Sequence, residues 1–224
     1  ILPFEQETLT RAGVHIWNEG HPLLDLLPSE GATKRDLALA LLPGSRKQEL
    51  LHHLPVMIQS AQEGAAKGLW TLNDVVIAGA PGRTEEDYVL ARVAGIDVRF
   101  GQTHDLLSRA QFAWVTSGTA TLEAALLGTP HALVYGTSAL TYFLAKQFVK
   151  VNFIGLPNLL LNREVVPELI QDAFNADALL DQSSLDRAIQ QEAFKAMRKV
   201  LGGAGASTRL AQQVLGCFEL HDQR

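Results

Sequence analysis

The chain has one cysteine, Cys217, in 224 residues. A single thiol excludes a disulfide framework and a cysteine-based metal site, and it fits a reducing compartment. Long apolar runs are missing as well. None reaches the ~18 residues that would mark a transmembrane helix, and no signal peptide is recognisable. Positive charge is scarce: 19 Lys and Arg stand against 24 Asp and Glu, for a formal charge of −5. With a pI near 5.8, that balance speaks against a nucleic-acid partner. Repeats and low-complexity segments are also lacking. Ile1 stands where a methionine would, which raises the expectation of a fragment or a processed half of something longer.

What is present is a globular composition, 47% apolar, with a clear alternation of strand and helix patterns between residues 37 and 135. The stretch 112–134, FAWVTSGTATLEAALLGTPHALV, organises the rest. Residues 112–115 read as a buried strand and Ser117-Gly118-Thr119 as a tight turn. Residues 120–127 read as a helix stopped by Gly128 and Pro130, and 131–134 as the next strand. The first turn of such a βαβ unit is where α/β folds hold ligands. Gly118 lets the chain bend and a ligand approach, and the helix start favours an anion such as phosphate. Ser117 and Thr119 add hydroxyls. Glu123, one turn on, is placed to accept hydrogen bonds from a ribose. The plainer alternative, that Ser117 or Thr119 only caps the helix, finds no Glu or Gln at the capping-box position.

Further upstream, residues 1–36 read as a helix over 3–12, a strand over 14–17 and a turn at Gly20-His21-Pro22. An apolar run, 37–42, then ends at Pro43-Gly44-Ser45-Arg46, followed by a helix over 47–67. This is a second anion-friendly strand–turn–helix, to which Arg46 could add a guanidinium. Its alternative is a capping box formed by Ser45 and Gln48. The adjacent His52 and His53 are expected at the surface. Strands over 74–78 and 96–100, with helices over 84–94 and 103–110, the latter capped by Thr103, complete the alternation. The pattern predicts an α/β fold with a doubly wound parallel sheet. Beyond Tyr135, residues 138–149 read as an apolar helix, either packed in the core or set against an anionic membrane surface. Residues 153–162 read as extended and apolar around Asn158. Helices are expected over 163–174, 176–180, 184–200 and 207–220, with a glycine break at 202–205.

Taken together, these strings resemble lipid-A-disaccharide synthase over nearly the whole chain: LLPGSR (41–46), SGTATLE (117–123), LPNLL (156–160), REVVPE (163–168), ILPFE (1–5), GHPL (20–23), and LGG (201–203) with GAS (205–207). The resemblance implies the C-terminal, Rossmann-like half of a GT-B glycosyltransferase, with C-terminal helices. Residues 37–201 would form the nucleotide-sugar-binding domain, and 202–224 a helix able to cross to a partner half. The family joins UDP-2,3-diacylglucosamine to 2,3-diacylglucosamine 1-phosphate, releasing UDP. It does so without a required metal or other cofactor, in keeping with the lack of an Asp-x-Asp motif.

The implied partners are a UDP-sugar donor, an acylated glucosamine phosphate acceptor, the N-terminal half of the same enzyme and the membrane surface, with no nucleic acid. The implied location is cytoplasmic, peripheral at the inner face of the cell membrane. By the same resemblance Arg46 and the turn Ser117, Gly118 and Thr119 would meet the pyrophosphate, with Gly44, Ser45 and Thr121 also in the UDP-sugar site. Glu123 would hold the ribose, and Asn158 and Arg163 would line the cleft near the donor. The catalytic base would lie in the N-terminal half. The chain departs from the family at Gly136, where a basic residue usually follows the tyrosine. The rival readings are another UDP-sugar enzyme of the same superfamily and a non-catalytic binding subunit needing a partner chain.

Overall fold

The computed structural model describes residues 2–28, 34–137, 152–182 and 186–221. The sequence-predicted helix over 138–149 lies outside them. Ahead of the sheet come α1 (Pro3–Arg11) and the single turn α2 (Leu23–Leu26). The chain then alternates β1 (Leu37–Leu42), α3 (Lys47–Ala66), β2 (Val75–Gly79), α4 (Val89–Val93) and β3 (Asp97–Phe100). Next are α5 (Thr103–Arg109), β4 (Ala110–Thr116), α6 (Thr119–Leu126) and β5 (His131–Tyr135). It continues through α7 (Leu156–Leu161), β6 (Glu168–Ile170), α8 (Ala176–Gln182), α9 (Arg187–Leu201) and α10 (Ala206–His221).

The six strands form one sheet in the order β3-β2-β1-β4-β5-β6, every neighbouring pair parallel. Parallel strands buried on both faces must be apolar throughout, and LALALL and VVIAG are. Their side chains alternate between two cores. Ala40, Leu42, Val76, Ala113, Val115 and Leu133 face a layer that includes Leu106, Leu122 and Phe194. Leu39, Leu41, Val75, Ile77, Phe112 and Trp114 face Leu54, Met57, Ala91 and Leu179 on the other side. This is the doubly wound, Rossmann-like sheet expected from the alternation. Its strand order reverses between β1 and β4, where such folds open a crevice at the carboxyl edge.

Several local expectations are corrected. Residues 14–17 pair with no strand among the described residues and carry no regular structure. Residues 156–161 are helical rather than extended, because Pro157 sits in the first turn, where its missing N–H costs nothing. The helix expected over 163–174 is instead a loop, β6 and a short 3-10 turn. Pro167 cannot sit in a helix interior without breaking it. Gln102, not Thr103, occupies the cap position of α5.

Two ties hold the outer elements. β6 covers β5 only from Leu133 onward. At the uncovered His131, Gln190 of α9 replaces a strand: its Oε1 accepts from the His131 N–H (2.8 Å) and its Nε2 donates to the His131 carbonyl (3.1 Å). Gln190→Ala would strand two buried backbone groups. A loss of about 2 kcal/mol is expected, read as a lower urea midpoint with unchanged m-value. At the other tie, Asp25 accepts the amides of Gly205 and Ser207 at the start of α10. Arg209 of α10 donates to the Glu19 carbonyl at 2.7 Å. The hydrogen bond from the Ser207 amide is the first cause holding Asp25 down at a pKa of about 2.

Candidate functional site

Both glycine turns open on one cleft at the carboxyl edge of the sheet, with a volume of about 870 Å³. β1 and β4 are neighbours in register, Leu42 beside Val115, so the turns that follow them emerge side by side. Gly44, Ser45 and Arg46 line the cleft from the β1 end, and Ser117, Gly118, Thr119 and Glu123 from the β4 end. Gln102, Thr103 and His104, at the start of α5, close the side beyond β3. Thr121, Asn158 and Arg163 are not among its lining residues.

The two helix starts differ. At α6, Gly118 has a φ of 150° and a Cβ there would meet nothing within 4 Å. The first amides of a helix lack an intrahelical acceptor, and here Thr119 and Ala120 border the open cleft, while the Thr121 amide turns back to the Gly118 carbonyl at 3.2 Å. Buried Thr121 donates its hydroxyl to the Gly118 carbonyl at 2.8 Å and so braces the turn. The far end of α6 is held by two arginines. Arg35 donates to the carbonyls of Leu127 (3.1 Å) and Gly128 (2.9 Å), and Arg198 to that of Leu126. Cations at the carbonyl end and empty space at the amide end suit an anion at the start of α6.

At α3 the two amides just ahead of the helix are already taken. Glu49 accepts from the N–H groups of Ser45 (2.9 Å) and Arg46 (3.0 Å), and from the Arg46 guanidinium at 2.8 Å. The cap is therefore one residue later than the Ser45–Gln48 box expected from sequence. Gly44 makes room for it: φ is +108°, and a Cβ would lie 2.5 Å from Glu49 Oε2. Burial raises the Glu49 pKa, but the backbone donors of Arg46 and Ser45 outweigh it and the net shift is downward. Its side chain is 11% exposed, whereas that of Arg46 is 81% exposed. The guanidinium therefore stands free of the protein surface while tethered at one nitrogen.

Glu123 accepts a contact of 3.0 Å from His104 Nε2, across the cleft wall between α5 and α6. His104 played no part in the sequence reading. Its place two residues past the β3–α5 turn, on the edge where α/β sites form, was the available clue.

His53 corrects the expectation of a surface residue. His52 is exposed, but His53 is fully buried. It falls on the stripe of Leu50, Leu54, Met57 and Ile58 that faces the core. Nδ1 lies 2.9 Å from the Pro43 carbonyl and 3.0 Å from Thr116 Oγ1, and Nε2 accepts the Gly136 N–H at 2.9 Å. The Gly136 carbonyl lies 3.0 Å from the same Nε2, so the ring can meet that peptide with Nε2 bare or protonated. Burial pushes its pKa below the ordinary histidine range, against the opposing pull of the Pro43 and Gly136 carbonyls. Gly136 is crowded: a Cβ would lie 3.3 Å from Phe174 Cδ1 and 3.6 Å from the His53 ring.

Asn158 is fully buried and spends its amide on the next loop. Oδ1 accepts from Val165 N–H (2.7 Å) and Val166 N–H (2.9 Å), while Nδ2 donates to the Val166 carbonyl and Glu168, both at 2.8 Å. Arg163 is exposed on the loop so held.

A family model described as lipid-A-disaccharide synthetase matches residues 1–206. The chain belongs to that family. Curated members include a lipid-A-disaccharide synthase of Syntrophus aciditrophicus, 36% identical over 99% of this chain and 63% of its own length. Another, from Thiobacillus denitrificans, is 36% identical over 98% of this chain and 63% of the relative. The chain thus spans about three-fifths of these family members. Among solved structures, one from Listeria monocytogenes described as a UDP-N-acetylglucosamine 2-epimerase shares the fold. Its TM-score is 0.58 at 16% identity, over 97% of this chain and 58% of that one. No helix among the described residues is long and apolar enough to cross a membrane.

Proposed function

We propose that this chain is the donor-binding part of a lipid-A-disaccharide synthase, gripping the UDP of UDP-2,3-diacylglucosamine while the sugar passes to 2,3-diacylglucosamine 1-phosphate. The observation that carries this reading is the meeting of two glycine turns in one cleft at the strand-order reversal, in a chain of this family. In this reading the diphosphate sits at the start of α6, on Ser117, Gly118 and Thr119. Thr121 holds that turn from beneath. Arg46 swings from its Glu49 tether to the phosphates, with Gly44 and Ser45 shaping its base. Glu123 takes the ribose hydroxyls. Asn158 and Arg163 act from the neighbouring loop, on the sugar side.

The chemistry asked of these groups is electrostatic. The acceptor hydroxyl attacks the anomeric carbon, the bond to the β-phosphate oxygen breaks, and UDP leaves with the electron pair. The hydroxyl proton goes to a base expected in the N-terminal half of the enzyme. Helix-start amides and a guanidinium stabilise the charge that develops on UDP. The acyl chains of both sugars call for work at a membrane surface, on the cytoplasmic side where UDP-sugars are supplied.

Heating the chain with UDP at about 100 times its dissociation constant should add roughly 2.7 kcal/mol of stability. No shift at saturating UDP would end the reading. Glu123→Ala should weaken UDP by about 1.5–3 kcal/mol, the range for hydrogen bonds to a charged group. Calorimetric titration of the folded variant checks it.

A further inference from the structure

Among the described residues, His53 reaches the carboxyl ends of three strands. Through Pro43 it holds the exit of β1, one residue before Gly44. Through Thr116 it meets the exit of β4, two residues before Gly118. Through Gly136 it holds the exit of β5, whose N–H is 2.9 Å and whose carbonyl is 3.0 Å from Nε2. The ring packs edge-on against Phe174 at 5.4 Å and lies 6.2 Å from the ring of Tyr135. Nothing about this arrangement is needed to fill a core: a leucine would do that without demanding three polar partners. An imidazole costs desolvation in such a place and is repaid only through its hydrogen bonds.

We infer that His53 is a positioning residue that locks the two glycine turns and the exit of β5 to one another, and so sets the spacing at which a nucleotide diphosphate is gripped. This rests on the nucleotide reading above. The lock holds with the ring neutral or protonated: Nε2 can accept from the Gly136 N–H at 2.9 Å or, carrying a proton, donate to the Gly136 carbonyl at 3.0 Å.

The test is UDP affinity of the 224-residue chain, measured by calorimetric titration with urea stability alongside, for wild type and two variants. His53→Gln offers an amide that can donate to Pro43 and accept from Gly136. His53→Leu fills the space and breaks the lock. His53→Leu should bind UDP about fivefold or more weakly than wild type, and His53→Gln should recover most of that loss. Should His53→Leu fail to fold, His53→Asn, polar but too short to span Pro43 and Gly136, takes its place with the same expected loss. If wild type binds UDP and the folded lock-breaking variant binds it equally well, or His53→Gln recovers nothing, the positioning role is wrong and the nucleotide reading stands. If wild type binds no UDP, both fall together.

Discussion

Arg35→Ala should destabilise the chain by about 3–4 kcal/mol. The Arg35 guanidinium sits just ahead of β1 and donates at the carbonyl ends of two helices. Nη1 reaches the carbonyls of Ala110 (2.5 Å) and Leu107 (3.2 Å) and the Thr129 hydroxyl (3.3 Å), and Nη2 those of Leu127 (3.1 Å) and Gly128 (2.9 Å). Terminal carbonyls have no partner within their own helix. A hydrogen bond from a charged donor is worth roughly 1.5–3 kcal/mol. Leu107 keeps other donors in the variant, among them the Thr129 hydroxyl at 2.6 Å. Arg35→Lys should recover about half the loss, because an ammonium keeps the charge but not the planar fork. Chemical denaturation of the three proteins at neutral pH measures it. Arg35→Ala within ~0.5 kcal/mol of wild type, the range of ordinary surface changes, would show that solvent replaces the guanidinium.

Acid should cost the fold about 3 kcal/mol between roughly pH 6.5 and pH 4 through His131 alone. Its ring is fully buried, stacked on Phe194 at 5.5 Å, and its Nδ1–H donates to the Thr129 carbonyl at 2.9 Å. Nε2 has no partner among the described residues. Burial is the first cause pushing the pKa from 6.5 down to about 4, and the Thr129 carbonyl pulls the other way. The unfolded chain therefore binds a proton across that window and the folded chain does not. Stability falls as pH falls through it and levels off below the folded pKa. A separation of about 2.5 units at 1.36 kcal/mol each gives the magnitude. His53 is lowered for the same reason and adds in the same direction. Asp25, held at about 2, releases its stabilisation only further down, as pH falls below its ordinary value of 3.8. Urea midpoints at about pH 7 and about pH 4.5, for wild type and His131→Gln, separate these contributions. Equal pH dependence in the two proteins would refute the assignment.

The strands that position the cleft were legible because parallel strands buried on both faces must be continuous apolar runs. LALALL, DVVIA and FAWV could be little else between glycines and prolines. The turn at Ser117-Gly118-Thr119 was legible for a related reason: only glycine tolerates the φ found at Gly118 with ease. What misled was local chemistry that tertiary contact reassigned. Pro157 opens a helix inside a run that reads as extended. Pro167 stops the helix that the pattern of 163–174 suggests. Glu49 and Gln48 are adjacent candidates for one cap, and only the fold decides that Glu49 reaches back. The apolar stripe of α3 includes position 53 and omits 52. Periodicity alone could have placed His53 inside, but its three partners come from three strands and no spacing reveals them. Asn158, a polar residue in an apolar run, must find hydrogen-bond partners, and the backbone of Val165 and Val166 supplies them.

The arrangement around Gln190 has a bearing on how this protein behaves in a crowd. An open sheet margin is a template on which another chain can extend itself, the first step of many aggregates. Here one margin, β6, is three residues long, and the backbone it leaves uncovered is answered by a side-chain amide from α9 rather than left vacant. The opposite margin, β3, is four residues long and carries the Asp97–Arg99 ion pair at 2.8 Å. Neither rim offers a neighbour a long, bare, greasy strand to copy. Loss of Gln190 would therefore do more than soften the fold. It would expose a fresh adhesive border, and precipitation at high concentration would be its first visible sign.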